Sequence, residues 1–420
     1  MDESSKPLRP SRSPSTQLIH HPYTPPEGFA SPATPVAKGS TIFFPSMEAV
    51  RQRDWAFKTT YTYGLHGTPT SFVLEERLAA LEGAKHCILA PSGLAALNMV
   101  NLALLKPGGR VLLPDNVYGP NKYFAEHFLQ SYGIEHAVYD PLDAQDLAQK
   151  LTPNTQLVWL EAAGSVTLEF PDLQGLIRVC NQAKVPCALD NTWGAGLAFS
   201  PFDLRDQDGC ALQLDISVHA LTKYPSGGGD VLMGSVCTQN PELHKTLKRC
   251  HMQLGFGVGM NDVEAILRAL PSIELRYTAQ DRSAQQLARF LAQHPAVAQV
   301  RHPALPCSPG HVYWQRLCGH KPHSQAAGLV SFFPHASWSD AQVDAFCEAL
   351  QWFKIGYSWG GPVSLVMAYD LRGDRDLAVS MESAPSKRLL RLCIGLENPD
   401  DLQADLAQAL ETIHRQANAS

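Results

Sequence analysis

Residues His86–Leu105 read HCILAPSGLAALNMVNLALL. A short apolar run, HCILA, meets a Pro-Ser-Gly turn, and a helical stretch follows over Gly93–Leu105. An apolar run of strand length, bounded by turn residues, suits a strand covered on both faces. The helical stretch is broken by Asn98 and Asn101 and is shorter than the ~20 apolar residues a membrane span needs. Where a glycine turn opens a helix, unpaired backbone N–H groups make an anion site without any basic side chain.

The same strand-then-helix order spreads outward from this stretch. Upstream, TSFVLEERLAALEG (Thr70–Gly83) sets Leu74, Leu78 and Leu81 on one helical face and ends on a glycine suited to a C-cap. Downstream, RVLLP, IEHAVY, QLVWLE, VPCALD and LDISV are strand candidates, with a helix over Asp172–Lys184 among them. Such alternation predicts a mostly parallel sheet covered by helices, an α/β fold whose ligands bind at the carboxyl ends of the strands. Past about Asp262 a long helical stretch, IELRYTAQDRSAQQLARFLAQH, is followed by strands near Gly328–Phe333 and Arg388–Ile394 and helices near Ser339–Leu350 and Asp400–Gln416. That texture predicts a smaller α+β domain. The expected division is an N-terminal arm over 1–65, a large cofactor-binding domain over 66–265 and a C-terminal domain over 266–420. The Pro/Ser-rich opening to about Gly39 has neither helical nor strand period and reads as an extended or flexible arm.

The bulk numbers narrow the function classes. A chain of 420 residues with 45% hydrophobic content suits a globular protein of two or three domains. The formal charge of −6 is made of interspersed signs without a basic block, so a nucleic-acid groove is not expected. The opening carries Arg9 and Arg12 among serines, but Asp2, Glu3 and the prolines argue against a targeting helix, and a cytoplasmic protein away from membranes is expected. The 10 cysteines are scattered without a C-x-x-C pair or zinc spacing. They read as reduced, mostly buried thiols, and no metal site is expected.

Two strand ends carry chemistry. VPCALD ends at Asp190, and LDISV leads into HALTKYPSGGGDV, which holds Lys223. They lie about one connection apart and could open on one crevice with the PSGLAAL turn at Pro91–Leu97. A lysine beside glycines can suggest a phosphate loop, but a Walker loop places its lysine after the glycines, and here they follow it. GFGVGM at Gly255–Met260 does not match G-x-G-x-x-G, so a dinucleotide site has no support. Each feature alone is ordinary: a strand-end Asp is often a turn former, a lysine is usually a solvated charge, and SGLAAL could be a plain helix start. Together they match pyridoxal phosphate, which needs an amine for a Schiff base, a carboxylate at its pyridine nitrogen and a phosphate cradle.

At this point the chain resembles the Cys/Met-metabolism family of pyridoxal-phosphate enzymes, fold type I. The matching pieces are YGLHGTPT, SGLAALN, DNVYGP, LEAAGSVTLE, DNTWGAG, HALTKY, GGDVLMG, RHPALPCSPGH, YSWGG and LRLCIGLENPDDL, in order from Tyr63 to Leu402. The resemblance implies that Lys223 is the covalent anchor and proton shuttle, and that Asp190 pairs with the pyridine nitrogen. It implies that Tyr118 stacks on the cofactor ring as part of the catalytic set. Gly93 and Leu94 (through their N–H groups), Thr222 and Tyr63 would bind phosphate, Tyr63 from a neighbouring subunit. Arg391, helped by Ser358 and Trp359, would hold the substrate carboxylate; a guanidinium inside the apolar run LLRLCIG favours a real partner, though a structural carboxylate could serve. His219 reads as a strand-packing residue.

The resemblance, YSWGG above all, implies α,β-elimination of L-cystathionine, a small amino-acid substrate, in methionine biosynthesis. It also implies a homo-oligomer, a dimer at least and a tetramer by family expectation. The alternatives are a gamma-acting member, a sulfhydrylase working on an acylated homoserine, and a non-catalytic relative that holds the cofactor. Three positions depart from the family pattern. Leu65 stands where many relatives carry a phosphate-binding arginine, with His66 adjacent as a possible substitute. Ala220 replaces a serine, and Val363 an acidic residue.

Overall fold

The computed structural model describes residues 30–319, 325–371 and 385–419, with the single residues 19, 28 and 376; side chains from 414 onward are outside that description. Most of the Pro/Ser-rich opening lies outside the described residues. Pro35–Ser420 forms one compact unit.

The strand runs predicted from sequence all form. They are β1 (His86–Ala90), β2 (Arg110–Pro114), β3 (Glu135–Tyr139), β4 (Thr155–Glu161), β5 (Cys187–Asp190) and β6 (Ile216–Ala220), joined by β7 (Gly234–Thr238). The sheet order is β1-β7-β6-β5-β4-β2-β3. The strands from β6 to β3 run parallel, whereas β7 is antiparallel to both β6 and β1. β7 reads GSVCT and has no apolar run of its own, so it is a strand only because β1 and β6 supply ladders on its two sides.

Alternate residues of each strand enter opposite cores, as the pleat requires. Cys87 and Leu89 of β1 join the layer containing Leu74 and Leu78, while Ile88 and Ala90 join the layer containing Leu97 and Val100. In β4, Val158 and Leu160 take the first side, Leu157 and Trp159 the second. That parity puts Glu161 and Asp190, the last residues of β4 and β5, on the face covered by the Gly93–Leu104 helix.

The helices on these faces are bounded by their own sequence signals. Pro69–Glu82 starts with a Thr68/Ser71 capping box and Pro at its first position, and ends where Gly83 takes φ +76°. Gly93–Leu104 starts at Ser92, whose side chain accepts from the Ala95 N–H.

The second sheet has the order β10-β11-β12-β9-β8, with β8 (Val297–Arg301), β9 (Leu329–Pro334), β10 (Lys354–Ile355), β11 (Leu365–Asp370) and β12 (Arg388–Cys393). The sequence showed β9 and β12 clearly. The helices Ile273–Ala292, Asp340–Ala349 and Pro399–Ala419 match the predicted ones to within a few residues. Phe332, Phe346, Val366, Leu392 and Leu406 make a core of their own against this sheet. Among the described residues no helix is long and apolar enough to cross a membrane.

Candidate active site

β5 and β6 are neighbours and parallel, so Asp190 and the turn after Ala220 emerge on the same side of the sheet. That turn carries Thr222 and Lys223. The start of the Gly93–Leu104 helix closes in from beyond β7. A Cβ on Gly93 would stand 2.6 Å from the Cβ of Ala220, so only glycine allows this approach. From the second sheet's side, Gly360 has φ +76°, and a Cβ there would lie 2.7 Å from the Tyr224 nitrogen. That close approach brings Ser358 and Trp359 onto the lysine turn. One cavity is lined by Ser92, Gly93, Leu94, Tyr118, Glu161, Asp190, Thr222, Lys223 and Trp359. It continues into a groove that Ser358, Tyr369 and Arg391 also line.

The Lys223 amine donates to Ser358 Oγ at 2.9 Å and lies 4.5 Å from the centroid of the Trp359 ring. The Arg391 guanidinium lies 5.1 Å from the same ring and 5.1 Å from that of Tyr369. Burial, and then the charge of Arg391, pull the lysine pKa down to about 8, against the opposing pull of Cys393 and Asp190. An amine with this pKa exchanges its proton near neutral pH, which a solvated lysine does not. Ser358 has φ 133°, a region L residues rarely adopt, so the hydroxyl is presented from a strained backbone.

Asp190 Oδ1 accepts from both the Thr192 N–H (3.0 Å) and the Thr192 hydroxyl (2.6 Å). Burial raises this carboxyl, and the two Thr192 bonds hold it back. Thr192 Oγ1 in turn accepts from the Ala220 N–H at 3.0 Å, which ties the end of β5 to the end of β6. Sequence reading passed over Thr192; its signal was its position two residues after a strand-end Asp, where a side chain bonds back onto that carboxylate.

Glu161 was also missed. It is buried, sits opposite Asp190 in the β4–β5 register, and accepts from the Tyr118 N–H at 2.8 Å. The sign was available, since QLVWLE ends in an acid just as VPCALD does.

Several groups have bonding capacity aimed at a ligand. Ser92 caps Ala95 with its side chain and Ala96 with its carbonyl, so the first-turn amides of Gly93 and Leu94 have no intrahelical acceptor. Arg391 is 3% exposed; it donates to the Ser165 carbonyl at 2.9 Å, while its Nε has no hydrogen-bond partner among the described residues. A buried guanidinium with no carboxylate partner among the described residues calls for an anion. Thr222 Oγ1 accepts from the Met233 N–H at 3.2 Å, and its proton reaches the Met233 carbonyl only at 3.4 Å. This donor set fits pyridoxal phosphate: amides and a hydroxyl for its phosphate, a carboxylate for its ring nitrogen, an amine for its aldehyde and a guanidinium for the substrate. Among the described residues no cluster of His, Cys, Asp or Glu could hold a metal ion.

Tyr63 does not join this cavity. It is 47% exposed and lines a separate pocket with Leu65, His66 and Lys248. His66 is turned to Thr62, with Nδ1 and Oγ1 2.7 Å apart. His219 is buried on β6, 3.4 Å from Glu82. Ala220, in the place of a serine, fills the contact with Gly93.

The profile of the Cys/Met metabolism PLP-dependent enzymes matches residues 15–411. A cystathionine beta-lyase of Bordetella avium is 37% identical over 402 residues, 94% of this chain and 96% of that protein. The cystathionine beta-lyase MetC of Escherichia coli K12 is 33% identical over 377 residues, 88% of this chain and 91% of its own. The crystal structure of metB from Corynebacterium glutamicum superposes with a TM-score of 0.79 at 26% identity, covering 95% of this chain and 98% of that one.

Proposed function

The chain belongs to the Cys/Met metabolism PLP-dependent enzymes, and from that premise we propose that it is a carbon–sulfur lyase. Its reaction is the α,β-elimination of L-cystathionine, with one water consumed, to homocysteine, pyruvate and ammonia. The observation that carries this reading is the Lys223 amine, its pKa drawn to about 8, converging with Asp190, the Gly93 helix start and Arg391. Relatives named cystathionine beta-lyase, aligned along most of the chain, support the choice of substrate.

Pyridoxal phosphate, when bound, supplies an electron sink for the pair left at the substrate α-carbon. Lys223 would hold it covalently, Asp190 would keep its ring nitrogen protonated, and the Gly93 and Leu94 amides with the Thr222 hydroxyl would hold its phosphate. Tyr118 would pack on its ring. Arg391 would bind the substrate carboxylate through its unpaired edge, with Trp359 closing the site against water. The Lys223 amine, once free, takes the α-proton and returns it to the departing sulfur; Ser358 keeps that amine aimed between the two positions. A solvated lysine at ~10.4 would be protonated at neutral pH and unable to act as base. Tyr63 would serve the site of a second copy of this chain, making the assembly a dimer at least. A cytoplasmic location goes with this role.

The test is product analysis of purified protein with L-cystathionine. Pyruvate and a free thiol should form in equal amounts, and the protein should carry a visible absorption band. Lys223→Ala should abolish both. 2-Oxobutyrate in place of pyruvate would move the protein to the gamma-acting members, and colourless protein that still makes pyruvate would overturn the scheme.

A further inference from the structure

Tyr118 lies where the chain leaves β2 and turns into the Gly119–Tyr123 helix. Two amides of this turn have backbone acceptors: Asp115 bonds to the Tyr139 carbonyl and Val117 to that of Pro114. The Tyr118 amide instead bonds to a side chain, the Glu161 carboxyl at the end of β4, at 2.8 Å. Tyr118 has no side-chain cap of its own, so this bond is what ties its backbone to the sheet. Glu161 lines the cavity beside Asp190, its partner in the strand register.

Building on the cofactor-dependent reading above, we propose that Glu161 is a positioning residue that fixes the Tyr118 ring over the cavity by accepting the Tyr118 backbone N–H. The pair of strand-end acids sets its charge state. Glu161 is buried and Asp190 half-buried, and a second negative charge beside the first is disfavoured in such a place. Asp190 has two Thr192 donors, and the nearby Lys223 and His219 also favour its ionised form. Glu161 faces Asp190 from β5 and lies near the phenols of Tyr118 and of Tyr139 from β3, with the amides of Tyr118 and Ser165 as its donors. Burial and Asp190 push it well above the usual carboxylate range. The ionised form is thereby favoured at Asp190 over Glu161, whose carboxyl oxygen accepts from Tyr118. Glutamine has the same shape, one acceptor and one donor end; leucine has neither.

The experiment compares the parent with Glu161→Gln, Glu161→Leu, Tyr118→Ala and the Tyr118→Ala/Glu161→Leu pair. It reads the Kd of pyridoxal phosphate for the apoprotein, the visible spectrum and its circular dichroism, and kcat/KM against pH. Glu161→Gln should stay within about threefold of the parent in Kd, with an unmoved acid limb. Glu161→Leu should weaken binding about tenfold or more and shift the visible dichroism. Added to Tyr118→Ala, it should cost less than about threefold, since the ring it places is gone. The proposal is overturned if Glu161→Leu matches the parent, or if its loss is the same with and without the Tyr118 ring. It is also overturned if Glu161→Gln moves the acid limb to lower pH, and that arm stands even if the leucine variant does not fold. A parent that binds no pyridoxal phosphate would instead remove the functional reading itself.

Discussion

The amine of Lys223 is bonded to Ser358 Oγ at 2.9 Å, which joins the turn after β6 to the loop before β11. The lysine comes from the first sheet and the hydroxyl from the edge of the second. A part-buried amine at this junction, its pKa drawn down by desolvation and by Arg391, has consequences that can be measured.

The apoprotein should show a pH-dependent penalty from Lys223. Its folded pKa of about 8 lies below the unfolded ~10.4, so the unfolded state binds more protons between those values. Stability therefore rises with pH across that window, and the penalty is full below about 8. Lys223→Met apoprotein should melt higher than the parent apoprotein at pH ~7, and the gap should close toward pH ~10. A gap constant across the range would show that the amine is not the source.

Arg391→Met should lower kcat/KM by about 10–150-fold, the equivalent of losing ~1.5–3 kcal/mol of charge-assisted bonding. Arg391→Lys should recover only part, because an ammonium lacks the planar fork. Inhibition by an amino-acid analogue should weaken in the methionine variant, while inhibition by the corresponding amine without its carboxylate should not. Equal weakening of both would place Arg391 elsewhere than at the carboxylate.

Thr192→Val removes the hydroxyl bond to Asp190 and leaves the N–H bond. A carboxyl already raised by burial then loses part of what holds it down. The ionised form is reached only at higher pH, so the acid limb of kcat/KM should move upward. An unmoved limb would mean that Asp190 does not govern it.

Gly93→Ala would set a Cβ 2.6 Å from the Ala220 Cβ and 3.1 Å from its Cα. The helix start must then withdraw from the cavity, so the cofactor Kd should rise about tenfold, with a lower Tm. Adding Ala220→Gly removes the nearer contact and should restore part of the loss. Calorimetry and apoprotein titration read both, and full affinity in the single variant would count against the helix start as a phosphate cradle.

The large sheet was legible from residues such as Leu89 and Leu160, because apolar runs bounded by turns are a local property. β7 was not, since GSVCT is a strand only between the ladders of β1 and β6. Within the site, Lys223, Asp190 and the Gly93 turn stood out as groups at strand ends. Thr192 and Glu161 were less visible because their roles lie in what they bond to, and a side chain's partner is not written beside it.

Sequence alone determined the order of most strands and helices, the helix end at Gly83, the glycine turn that opens the helix at Gly93, and a set of groups able to meet pyridoxal phosphate. These follow from period and local hydrogen bonding, which act within a few residues. Tertiary structure decided which groups meet. The β5–β6 pairing brings Asp190 beside the lysine turn, the β4–β5 register sets Glu161 against Asp190, and the close approach at Gly360 places Trp359 under both Lys223 and Arg391. Burial in that common cavity, rather than residue type, lowers the lysine and raises the two carboxyls, because desolvation depends on everything packed around a charge.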